Sequence, residues 1–182
     1  VFNSQPAISK IYYKSATNET VKGFDAVHVV EATDDGLELW LGEVKFYKDP
    51  TSAIFDIAQE IVDHTDLDYL KNEFILIGNK IDARWDHADE VRNLINGNKS
   101  LDQVFTRVCI PALLTYESKV VAGHDTFCDE FRDALLEELE AFHEKFAEKD
   151  LPEVRIHLFL VPLHCKAELV QILHEKLEGM QR

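Results

Sequence analysis

The feature that most constrains this chain is a pair of apolar runs joined by a turn, because the charges at their far ends must go wherever the apolar face goes. Phe24–Ala32 is extended and β-branched at Val27, Val29 and Val30. Leu37–Tyr47 alternates, with Leu37, Leu39 and Leu41 on one face and Glu38 and Trp40 on the other. Thr33-Asp34-Asp35-Gly36 between them is a turn signal, so the spacing predicts a β-hairpin. With Asp34-Asp35-Gly36 as the loop, Thr33 pairs with Leu37, Val29 with Leu41, Val27 with Glu43 and Asp25 with Lys45. The period of two puts these residues on one face, aliphatic toward the turn and charged at the far end.

Two carboxylates and an ammonium beside aliphatic surface are costly unless they are paired or bind a metal. Carboxylates within about 5 Å of each other repel and raise each other's pKa unless a cation sits between them. A hard divalent cation such as Mg²⁺ accepts one or two carboxylates, a backbone carbonyl and waters that leave room for phosphate. Lys45 beside such an ion can orient or help deprotonate an attacking water and neutralise charge developing at phosphorus. An ordinary ion pair of Lys45 with Asp25 or Glu43 near a sheet edge explains the same three residues equally well.

Beyond the hairpin, Asp49-Pro50 opens a helix, with Asp49 as N-cap and Pro50 in the first position. Ile54, Ile57, Ala58 and Ile61 carry it to about His64. Residues 66–81 fit a helix or a strand. Residues 86–106 read as two short helices broken at Asn96-Gly97-Asn98, and Arg107–Tyr116 as a strand that Pro111 marks as an edge or a bulge. Asp125–Lys149 is a long helix striped by Phe127, Phe131, Leu135, Leu139, Phe142 and Phe146, with an acidic opposite face. Val154–Val161 reads as a buried strand and Ala167–Leu177 as an amphipathic helix. This order predicts an α/β domain: a mixed central β-sheet carrying the hairpin, flanked by helices.

The 182 residues suit one well-buried domain. We expect residues 1–22 to be a lead-in or the tail of a preceding segment, and 23–182 to form the domain. Val1 in place of Met suggests that the chain is part of a longer protein, and no signal-peptide pattern follows it. Three cysteines in no paired pattern, Cys109, Cys128 and Cys165, fit free thiols in a reducing cytoplasm. No apolar run approaches the ~18 residues of a membrane span. A formal charge of −15 argues against a free-standing nucleic-acid coat or a binder of anionic lipid. It leaves open a site where metal ions bridge carboxylates to phosphates.

Asp25 followed by Glu43-Val44-Lys45 on two strands of a hairpin, with a helix after it, resembles the PD-(D/E)XK nuclease superfamily and its restriction-endonuclease-like fold. Phe24 stands where the family's nominal proline falls. The resemblance implies that Asp25 and Glu43 ligate Mg²⁺ or Mn²⁺, that the Val44 carbonyl joins them, and that Lys45 serves the nucleophilic water. Gly23-Phe24-Asp25-Ala26-Val27-His28-Val29, Gly42-Glu43-Val44-Lys45-Phe46-Tyr47 and the helix start Ser52-Ala53 are similar to the C-terminal domain of HamA-type proteins, the nuclease subunits of Hachiman anti-phage systems. This narrower resemblance, sharpest over residues 22–64, implies a helicase partner and DNA as substrate.

Other residues carry weaker signals. His28 falls on the hairpin face opposite Asp25, which favours a structural role. His164, Cys165 and His174 fit no zinc spacing. Lys48, Lys71 and Lys80 read as solvated surface and Gln59 as an exposed helix position. Glu137, Glu138, Glu140, Glu144 and Glu148 read as a solvated acidic face. Two functions compete. One is a metal-dependent DNA nuclease in an anti-phage complex. The other is a non-catalytic adaptor of the same fold that binds and regulates a helicase. The acidic charge favours the adaptor; the intact Asp25, Glu43 and Lys45 set favours the enzyme.

Overall fold

A computed structural model of the chain describes residues 3–8, 23–32, 36–95 and 101–181. Its elements in chain order are β1 (Gln5–Pro6), β2 (Ala26–Ala32), β3 (Gly36–Phe46), α1 (Pro50–His64), α2 (Leu67–Lys80), α3 (Ala88–Leu94), α4 (Leu101–Phe105), β4 (Val108–Glu117), α5 (Lys119–Ala122), α6 (Asp129–Ala147), β5 (Arg155–Leu163) and α7 (Lys166–Met180). The strands form one five-stranded sheet in the order β1-β2-β3-β4-β5. β1, β2 and β3 are antiparallel neighbours. β3 and β4 advance in step, from Leu39 N–H on Arg107 O to Tyr47 N–H on Thr115 O, so they run parallel and the sheet is mixed. This is the expected α/β class.

The hairpin forms with a register one residue earlier on each strand than the turn signal suggests. Ala32 pairs with Gly36, Val29 with Leu39 and Val27 with Leu41. Gly36, at φ +82°, is the first paired residue of β3 rather than the last of the loop; residues 33–35 lie outside the described set. Because the slip totals two residues across the pair, every side chain keeps its face.

Contacts divide the chain into two units: Val1–Val44 with Ala58–Ala112 and Leu151–His157, and Lys45–Ile57 with Leu113–Asp150 and Leu158–Arg182. In the first, Val27, Val29, Leu37, Leu39 and Leu41 pack with Leu70, Phe74 and Ile77 of α2 and Val91 and Leu94 of α3. The stretch 66–81, ambiguous by periodicity, is thus a helix whose i, i+4, i+7 stripe enters the core. The other hairpin face buries Trp40 against Val30 and Cys109. There Glu38 accepts the Trp40 indole N–H at 3.1 Å and an Arg155 N–H at 2.5 Å, and Trp40 stacks on His157.

In the second unit, Asp49 caps α1 as expected, accepting the Ser52 N–H and Oγ–H at 2.8 Å each. Tyr116 is fully buried, donates to Glu138 at 2.9 Å and meets the Phe142 ring edge-on. The long helix is shorter than its periodicity suggests: Phe127 precedes α6 and is exposed, and Phe142 and Phe146 are the buried members of the stripe.

Two expectations are corrected. Pro111, read as marking an edge or a bulge, lies in β4, which has a neighbour on each side, so it marks no edge. Its ring lies beside Gly42, where an added Cβ would stand in ordinary van der Waals contact, 3.6 Å from Pro111 Cγ. β5, read as a buried strand, is half-buried because it is the last strand of the sheet.

Burial alone would raise the Glu38 carboxyl, but the Trp40 and Arg155 donors outweigh it and hold it below its ordinary value. A depressed carboxyl stabilises the fold above its unfolded-state pKa, near pH 4.5, and that stability is lost as pH falls through the lower folded-state value. Glu38→Gln is therefore expected to melt earlier than wild type at neutral pH, with the gap closing toward pH 3. A constant gap from pH 7 to 3 would contradict the assignment.

Candidate active site

The site grows from the open end of the hairpin. The ladder ends at Ala26–Gly42, and one further step places Asp25 opposite Glu43 on one face. Asp25 is exposed; Glu43 is 2% exposed, the most deeply buried acid in the described structure. Asp25 Oδ2 accepts the Val44 N–H at 2.9 Å, which ties the residue before β2 to β3. The structure thus brings Asp25 and Glu43 together, although in a different register from the expected one: Glu43, not Lys45, stands across from Asp25. Lys45 follows Glu43 by two positions on β3, hence on the same strand face, and is half-buried. Its own carbonyl accepts the Thr115 hydroxyl at 3.2 Å. Val44 is exposed.

Four residues that the sequence reading leaves out complete the site. His64, the last residue of α1, binds Glu43 Oε1 through its Nδ1. The imidazole stacks on Tyr69 with centroids 4.4 Å apart and 10° between planes, and meets the Phe24 ring edge-on at 5.2 Å. Local structure delivers these rings. The Thr65 hydroxyl donates to Ile61 O at 2.6 Å as α1 ends, and Asp66 caps α2 by accepting the N–H groups of Asp68 and Tyr69. Tyr69 then sits one turn into α2, beside His64. Glu73, one turn further, is buried with its carboxylate against Gly23. Glu60 lies one turn before His64 on α1 and adds its charge to the field at both Glu43 and His64.

The electrostatics are those of a buried acid beside other acids and one imidazole. Burial pushes the Glu43 carboxyl up, Asp25 and Glu60 push it further, and the His64 contact only partly offsets them. Burial would lower the His64 imidazole, but Glu43 at hydrogen-bond distance, with Glu60 and Glu73 beyond, raises it above its ordinary value. Burial first, then Glu73 and Glu43, raise the Tyr69 phenol, so Tyr69 stays neutral at physiological pH.

Among the described residues no group of three or more His, Cys, Asp or Glu is arranged to hold a metal ion. A hard cation that keeps several waters needs only one or two carboxylates, so the all-oxygen pair Asp25 and Glu43 fits Mg²⁺ or Mn²⁺ rather than zinc.

The remaining candidates lie elsewhere. His28 pairs across to Trp40 and contacts Ser4 Oγ, a structural setting. The Gln59 amide donates to Asp63 on an exposed face. Lys48 pairs with Glu117. His164, before α7, pairs with Glu168 and His174 with Glu178, all on exposed positions. All three cysteines are free. Among the described residues no helix is long and apolar enough to cross a membrane.

Fold and site together define an α/β protein with a mixed sheet whose hairpin carries an acidic pair at its open end. A family model described as HamA matches residues 1–177, and the chain belongs to that family. It is thereby a component of the Hachiman anti-phage defence system, which has more than one subunit. No curated protein and no solved structure matches the chain.

Gly23 holds the approach to Asp25. Its φ is +96°, and an added Cβ would stand 2.5 Å from a Glu73 carboxylate oxygen in the buried wall of the site. Gly23→Ala should cost about 1–3 kcal/mol, the scale of a strained backbone position, read as a lowered urea midpoint. An unchanged midpoint would show that this wall is not rigid.

Proposed function

We propose that this chain is a divalent-metal-dependent DNA nuclease of the PD-(D/E)XK type, acting with a helicase subunit in cytoplasmic Hachiman defence. The observation that carries the reading is Glu43: an almost fully buried acid, pushed toward the neutral form, with Asp25 across the ladder from it. A cation between the two carboxylates would remove their repulsion and part of the desolvation cost of Glu43.

In this reading Asp25 and Glu43 hold Mg²⁺ or Mn²⁺, with the Val44 carbonyl as a further oxygen donor. When bound, the cation supplies Lewis-acid polarisation of the phosphodiester and makes water a better nucleophile. The chain's residues divide the remaining work. Asp25, exposed and tethered through the Val44 N–H, is the carboxylate that solvent and substrate reach first. Glu43 is the fixed, buried partner. Lys45 orients the attacking water and sets a positive charge against the negative charge that builds on the phosphoryl oxygens.

The charge of −15 makes tight DNA binding by this chain alone unfavourable. A helicase that holds the strand would supply the missing backbone contacts. The same charge supports a second reading, a nuclease-fold adaptor that regulates the helicase without cutting. Plasmid and oligonucleotide cleavage, with and without Mg²⁺ and with the chain alone or beside the helicase, separates the two. The nuclease reading expects Mg²⁺-dependent cleavage that falls about 10²–10⁴-fold in Lys45→Ala, the scale of lost general-base assistance. No cleavage under any condition, or equal cleavage by a folded Lys45→Ala, would contradict it.

A further inference from the structure

Metal-site carboxylates work only if they are held still, and among the described residues His64 holds Glu43. Among the described residues its single hydrogen-bond partner is His64 Nδ1, which engages Oε1 and leaves Oε2 without a protein donor. The imidazole is packed on two sides, with Tyr69 flat against it and Phe24 edge-on, and its backbone closes α1. We propose that His64 is a positioning residue for the metal site: its Nδ1–H pins one oxygen of Glu43 so that the other is presented to a hard divalent cation. This rests on the nuclease reading of Asp25 and Glu43.

A second explanation for His64 is packing, since a ring fills the slot between Tyr69 and Phe24. The two explanations make opposite predictions for two substitutions. His64→Phe keeps a ring in the slot and removes the donor. His64→Asn removes the ring and keeps an amide N–H close to where Nδ1 stands. Partners that hydrogen-bond to metal ligands are typically worth 10–100-fold in metal affinity.

The test is Mn²⁺ binding to the full chain, followed by the electron paramagnetic resonance of free Mn²⁺, with melting curves in the absence of metal as the check on folding. The variants are wild type, Asp25→Asn, His64→Phe and His64→Asn. The proposal expects Mn²⁺ binding by wild type that is lost in Asp25→Asn. It expects binding weakened at least about 10-fold in His64→Phe and restored to within about threefold of wild type in His64→Asn. If His64→Phe does not fold, His64→Gln, whose amide reaches the Nε2 position instead, replaces it and is expected to bind about as weakly.

Wild-type affinity in His64→Phe, or equal weakening in His64→Asn, would overturn the positioning role while leaving the metal site intact. Absence of binding by wild type, or binding unaffected by Asp25→Asn, would overturn the metal site itself and this inference with it.

Discussion

A carboxylate buried in a sheet is the constraint on which the rest of this site depends. Glu43 sits almost wholly out of water on the strand face that also buries Leu39 and Leu41. An ionised acid there costs several kcal/mol unless something answers its charge. The answer comes from an element that ends at the right place. α1 terminates at His64, α2 begins at a cap that sets Tyr69 against the imidazole, and Phe24 closes the third side. The same chain entry, Gly23-Phe24-Asp25, brings a second acid to the neighbouring position, which raises the Glu43 carboxyl further. In the proposed reading a hard cation adds to that answer by neutralising the two neighbouring acids together.

Much of this was legible because it depends on period. Alternation over Leu37–Leu41 and β-branching over Val27–Val30 gave the hairpin and its buried face. Gly36 located the turn to within one residue. A one-residue slip on each strand left all faces intact, so Asp25 and Glu43 were placed together for a reason that survived the error in pairing. The helix α1 was equally plain, since its cap and apolar stripe agree.

What could not be read depends on contacts between residues distant in the chain. His64 reaches Glu43 because α1 has the length it has, and Tyr69 reaches His64 because of a two-residue junction; neither leaves a period in the sequence. Asp56, Glu60 and His64, spaced four apart, share one face of α1, but such a line reads equally as the solvent face of an amphipathic helix. Pro111 misled because a missing N–H normally excludes an interior strand, and the strands on either side of β4 are set by residues distant in the chain. The apolar run of β5 misled because such a run reports strand formation, not which strand is last in the sheet.

Membership of the HamA family sets the chain in a defence system with other subunits, and the acidic surface is consistent with a component that acts inside an assembly. The central claim, that Asp25 and Glu43 form a cation site, is tested most directly by thermal melting of the full chain in Mg²⁺ or Mn²⁺. The comparison is the same ionic strength made with NaCl, which screens charge but cannot bridge two carboxylates. Binding to the folded state alone should stabilise it by about 2.7 kcal/mol at one hundred times the dissociation constant. The account predicts a divalent-specific rise in melting temperature for wild type and none for Asp25→Asn or Glu43→Gln. An equal response in all three proteins would contradict it.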